Sequence, residues 1–100
     1  MTTLLVDIGN TRIKWARLVR GHPGRQHAAA HDGWTAPDFE RALRPALRGV
    51  AAVLAVSVAG RRVDRRFARA VRAVIGVTPR FVAATRRAGG VTNGYREVWR

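Results

Sequence analysis

The sequence predicts an α/β domain in which antiparallel strands come first and strand–helix units follow, forming a mixed sheet. Three observations carry that expectation. A short apolar run at residues 3–7 ends in Asp7 and meets the turn signal Gly9-Asn10. Residues 50–58 form a near-continuous apolar run. From Arg61 to Ile75, apolar residues recur at helical spacing before Gly76. A bounded apolar run reads as a buried strand, and a period of 3.6 reads as an amphipathic helix.

Thr3 to Asp7 is a buried strand feeding a tight turn. Ile13 to Arg17 alternates between apolar and polar residues and reads as a half-exposed strand, paired back on the first as a hairpin. Gly21 to Gly24 closes a second turn, and residues 25–31 supply a third strand despite the weak β preference of Ala28-Ala29-Ala30. Thr35 caps a helix with Asp38 three residues on, and Pro37 is tolerated in its first turn. Phe39, Ala42, Leu43, Ala46 and Leu47 share one face of that helix. Pro45 removes an interior backbone bond and is expected to kink or shorten it.

Val50 to Val58 has the composition of a central strand covered on both faces, with Ser57 near its end. In the second helix, Val63, Phe67, Val71, Val74 and Ile75 face inward, while Arg61, Arg62, Arg65, Arg66, Arg69 and Arg72 occupy the rest. Gly76 is its C-terminal stop. Arg80 to Ala83 is a last short strand, and Arg86 to Gly94 is a glycine-rich loop with an Asn93-Gly94 turn signal.

One hundred residues hold a single core at most. Nineteen Lys and Arg against six Asp and Glu leave a net charge of +13, but Lys14 is the sole lysine, so the charge says basic without saying where. The absence of cysteine removes disulfides, cysteine-ligated zinc and thiol nucleophiles. No basic segment precedes Leu4-Leu5-Val6, and no apolar run reaches membrane-spanning length, so the expectation is a soluble, cytoplasmic protein without membrane contact. His22, His27 and His31 lack metal-like spacing and read as surface residues.

The chemistry concentrates in Asp7-Ile8-Gly9-Asn10-Thr11. A glycine admits close backbone approach, Asn and Thr donate to phosphate oxygens, and a carboxylate holds Mg²⁺ directly or through water. Lys14 is near enough to join, although alternation leaves its side undecided. The same pentapeptide also suits a plain hairpin turn.

Two separated segments resemble the type III pantothenate kinases, members of the superfamily of acetate and sugar kinases, heat-shock ATPases and actin. Leu4 to Trp15 is similar to that family's opening phosphate motif, and Ala88-Gly89-Gly90-Val91-Thr92-Asn93-Gly94-Tyr95 to its tyrosine-bearing substrate segment. Val53 to Val58 resembles its central strand. The resemblance implies a ribonuclease H-like, actin-type ATPase fold, with residues 1–100 as the N-terminal domain of a two-domain kinase. It implies phosphorylation of pantothenate to 4'-phosphopantothenate, the first step of coenzyme A biosynthesis. Asp7, Ile8, Gly9, Asn10, Thr11, Arg12, Ile13 and Lys14 would line the ATP phosphates, with Asp7 at the metal. Tyr95 would contact pantothenate.

ATP, Mg²⁺ and a monovalent cation, K⁺ or NH₄⁺, are the implied cofactors, and the complete protein would be a homodimer. The family's Gly-x-Asp-Arg motif, whose Asp is the general base, is expected beyond Arg100, so these residues alone are expected to be inactive. Two alternatives stand beside this reading. One is a basic module binding nucleic acid through the arginines of residues 61–72, with Arg86 and Arg87. That helix also has the pattern of a solvated exterior, and the module lacks the exposed aromatic residues that stack on bases. The other is a regulatory or remnant relative of the kinase.

Overall fold

The computed structural model describes residues 1–83. Strand β1 (Thr2–Ile8) alternates so that Leu4, Val6 and Ile8 turn to one face of the sheet and Thr3, Leu5 and Asp7 to the other. It runs antiparallel to β2 (Arg12–Val19), in a register that pairs Ile8 with Ile13 and Thr2 with Val19. The next turn lies earlier than Gly21 to Gly24. Its tip is Arg20-Gly21, with positive φ at both residues (52° and 80°), the hand of a primed turn that suits the twist of a hairpin. This leaves His22–Pro23 as the short strand β3, paired with Val19 and Leu18.

The third predicted strand is present as β4 (His27–Ala30), antiparallel to β2. The alanines have little strand preference of their own, and pairing with β2 supplies what propensity does not.

Helix α1 (Ala36–Leu47) starts at Thr35, whose backbone N–H (2.8 Å) and hydroxyl (2.9 Å) both donate to Asp38 Oδ2. Those two bonds, with a weaker contribution from Arg41, hold the Asp38 carboxyl below its ordinary value. The helix runs through Pro45 and stops two residues later. The missing proline N–H leaves the Arg41 carbonyl without its intrahelical donor, a loss of one bond close to the end of the helix.

Strand β5 (Ala52–Ser57) lies parallel to β1 and pairs Ile8 with Ser57. Helix α2 (Arg61–Ile75) ends at Gly76, where φ is 69° and the backbone N–H donates to the Arg72 carbonyl at 2.9 Å. Strand β6 (Arg80–Phe81) completes the order β3-β2-β1-β5-β6, with β4 also on β2.

The two helices pack on each other and on one face of the sheet. Leu4, Val6, Ile8, Ile13, Trp15, Val53 and Ala55 meet Phe39, Leu43, Leu47, Phe67, Ala70 and Val71 in one buried cluster. Phe39 and Phe67 meet edge to face at 6.1 Å and join the helices at its centre. Full burial of a side chain of that size is worth roughly 1.5–3 kcal/mol. With the helical face closed in this way, the edge where β1 and β5 end is set on a rigid base.

Candidate phosphate-binding site

Asp7 and Lys14 are directly paired across β1 and β2. Opposed residues of an antiparallel pair project from the same face, with Cβ atoms about 5 Å apart, so the register decides what alternation alone left open. A carboxylate and the chain's sole lysine stand on one face of the hairpin, the face opposite α1 and α2. Both are half-buried, whereas Asn10, Thr11 and Arg12 are exposed at the turn. Ile8 and Ile13, one residue closer to the tip, project the other way and are fully buried in the core. Anything they offer a ligand is main chain.

Gly9 has a backbone reason to be glycine. Its N–H donates to the Arg12 carbonyl at 2.8 Å, and a Cβ placed on it would lie 3.3 Å from that oxygen. The close approach that the glycine permits is thus across the neck of the hairpin. It keeps the turn narrow and its tip free of bulk.

The neighbouring strand end is tied to the same place. Val58 donates its N–H to the Ile8 carbonyl at 2.9 Å, carrying β5 past the end of β1. The Ser57 hydroxyl donates to the Asp64 carboxylate and accepts the Ala59 N–H at 3.2 Å. Asp64 is thereby engaged in fastening the first turn of α2 to the end of β5. The C-terminal ends of two adjacent parallel strands, β1 and β5, meet here, which is where open α/β sheets gather ligands.

His31 departs from its expected surface place. It is 2% exposed, the one buried polar residue among those described, and its Nε2 lies 2.6 Å from the Gly9 carbonyl. Its backbone N–H donates to the Thr11 carbonyl at 2.8 Å. His22 and His27 are exposed as expected, His27 stacking on Trp15 at 5.7 Å. Nothing in the local pattern marked His31, because its burial comes from the approach of β4 to β2 and from Phe39 of α1, whose ring is 6.0 Å away.

The arginines of α2 lie elsewhere. Arg61, Arg62, Arg65, Arg69 and Arg72 are exposed on the outside of the helical layer, and half-buried Arg66 donates to the Trp34 carbonyl at 3.1 Å. Tyr95, Arg86, Arg87 and the glycine-rich loop fall outside the described residues. Among the described residues, no cluster of three or more His, Asp or Glu side chains could hold a metal ion, and no helix is long and apolar enough to cross a membrane.

A sequence model described as type III pantothenate kinase matches residues 3–99. The chain belongs to the type III pantothenate kinase family. Among its relatives, the type III pantothenate kinase of Laribacter hongkongensis is 35% identical over 96 residues, covering 94% of this chain and 36% of that protein. The type III pantothenate kinase of Acidovorax ebreus is 36% identical over 101 residues, covering 95% and 37%. The chain therefore spans little more than a third of the length of these pantothenate kinases.

Among solved structures, the Aquifex aeolicus member of the Ppx/GppA family superposes with a TM-score of 0.52 at 15% identity, over 95% of this chain and 40% of that one. An exopolyphosphatase-like protein gives 0.51 at 14% identity, over 88% and 34%. The likeness extends to the fold, the ribonuclease H-like, actin-type ATPase architecture with its mixed sheet, as the sequence led us to expect of a pantothenate kinase relative.

Proposed function

We propose that the complete protein transfers the terminal phosphoryl group of ATP to pantothenate, giving 4'-phosphopantothenate at the start of coenzyme A biosynthesis, and that residues 1–100 are its N-terminal phosphate-binding domain. The observation that carries this is the pairing of Asp7 with Lys14 beside the Gly9-Asn10-Thr11 turn, whose Asn10 and Thr11 are exposed, in a chain that belongs to this kinase family. Phosphoryl transfer asks little covalent chemistry of the protein. It needs the phosphates held in line and their charge balanced.

The residues present suit that task. The turn is narrow because Gly9 lacks a Cβ, so phosphate oxygens can come close to the main chain of residues 8–13 and to the Asn10 and Thr11 side chains. Lys14 supplies positive charge at the same mouth. Mg²⁺ takes one or two carboxylates together with phosphate oxygens and water, and Asp7 is a single carboxylate of that kind. When bound, Mg²⁺ would offset the negative charge of the phosphates. Tyr95 is assigned to pantothenate. The general base, the monovalent cation K⁺ or NH₄⁺ and the homodimer are part of the same reading, the base on the Gly-x-Asp-Arg segment of the complete protein.

The test is ADP release by the complete protein with ATP and Mg²⁺, in the presence and absence of pantothenate. Release that depends on pantothenate is expected, with Tyr95→Ala raising the KM for pantothenate and leaving that for ATP in place. ADP release indifferent to pantothenate would set the substrate assignment aside.

A further inference from the structure

A buried histidine whose ring meets a backbone carbonyl of the turn is not needed to fold a hairpin, and His31 holds the turn at two points. Facing a carbonyl, its Nε2 must carry the proton and donate to Gly9, while its own backbone N–H donates to Thr11. The two carbonyls on either side of Asn10 are therefore both directed to His31. All described peptide bonds are trans, and in a trans peptide the N–H points opposite to the C=O. Fixing the Gly9 and Thr11 carbonyls on His31 thus turns the Asn10 and Arg12 N–H groups away from it, and both residues are exposed.

We propose that His31 is a positioning residue for phosphate, acting through the turn: it holds two peptide planes so that the Asn10 and Arg12 N–H groups stay directed at phosphate oxygens. This rests on the phosphate-binding reading of the turn given above. A hairpin tip of two exposed residues has several peptide orientations open to it, and a donor pair set in advance binds an anion without first losing that freedom. The ring is itself held, packed against Phe39 and covered on all sides. His31 touches no ligand in this scheme.

The experiment uses the complete protein with His31→Phe, which keeps an aromatic ring beside Phe39 but loses the donor, and His31→Gln, which returns an N–H at similar reach. The KM for ATP is expected to rise about tenfold in His31→Phe, the size of one lost hydrogen bond. The KM for pantothenate should hold, and His31→Gln should recover most of the loss. A role confined to packing would leave KM for ATP untouched in His31→Phe, or lower the thermal midpoint of both variants without separating the two substrates, and either result overturns the proposal.

A second readout needs no turnover. Nitrogen NMR of the wild type should show a proton on the His31 Nε2, and the Asn10 and Arg12 amide resonances should shift on adding inorganic triphosphate, weakly in His31→Phe. If the wild type proves inactive on pantothenate, the kinase reading fails while these resonances still decide the role of His31. If the wild type is active and the resonances and KM values of His31→Phe match it, the role of His31 fails and the kinase reading stands.

Discussion

Helix α2 and the β1–β2 turn are opposites in composition and in what fixes them. Helix α2 carries six of the arginines, and its shape is set by contacts within one segment: apolar residues every three or four positions and a glycine at the stop. The turn carries the residues of chemical interest, and its shape is set by partners far away in sequence. Lys14 faces Asp7 through strand register, the Ile8 carbonyl accepts the N–H of Val58 just past β5, and His31 reaches back to Gly9. Charge is thus a poor guide to the site in this molecule. Helix α2 alone holds six of the eighteen arginines, away from the turn, and the one lysine lies on β2 facing Asp7.

The comparison predicts that damage to the helical layer appears as lost stability and damage to the turn as lost activity. Phe67→Ala should have the largest effect, destabilising the complete protein by about 3–5 kcal/mol in denaturant unfolding, because the ring is fully buried and bridges Phe39 and Phe81. A loss under about 1 kcal/mol would mean that the helices do not share one core. Asp7→Asn should lower kcat/KM about a hundredfold while shifting the unfolding midpoint far less than Phe67→Ala does. Near-normal turnover in that variant would break the comparison at its other end.

Gly76→Ala should cost about 1–2 kcal/mol in the same unfolding assay, since a residue with a Cβ is strained at a φ of 69°. Asp38→Asn gives the smallest effect and a test of sign. The Asp38 carboxyl lies below its ordinary value of 3.8 in the folded protein, so its contribution is fully present above that value and fades as the pH falls through the lowered one. The difference in melting temperature between Asp38→Asn and wild type should accordingly be present at neutral pH and close under strong acid. A difference that widened in acid would reverse the assignment of its cause.

Much of the fold was legible in residues read in order. The bounds of α2 and its stop at Gly76, the capping pair Thr35 and Asp38, and the strands around Leu5 and Val53 follow from period, cap chemistry and apolar runs, all of which are local. The misplaced features were those where two signals competed or where none existed. Gly21 and Gly24 both read as turn residues, and the twist of the hairpin selected Arg20-Gly21 as the tip. Pro45 read as a kink or a shortening, and the helix runs through it to end two residues later at Leu47. Family resemblance pointed to residues 7–14 as a set, but it could not divide Ile8 and Ile13, which turn into the core, from Asp7 and Lys14, which turn out of it together.

The sequence by itself determined the α/β class, the helical faces, the position of the turn and membership in a kinase family, because each is written in neighbouring residues or in ordered motifs. Tertiary structure decided the arrangement of the site. It set Asp7 and Lys14 on one face through a register of hydrogen bonds, placed Ser57 and Asp64 at the adjoining strand end, and buried His31 under the turn. None of these has a local signature, since each depends on which strand lies beside which, and that is settled only when the apolar faces of the sheet and helices close on one another.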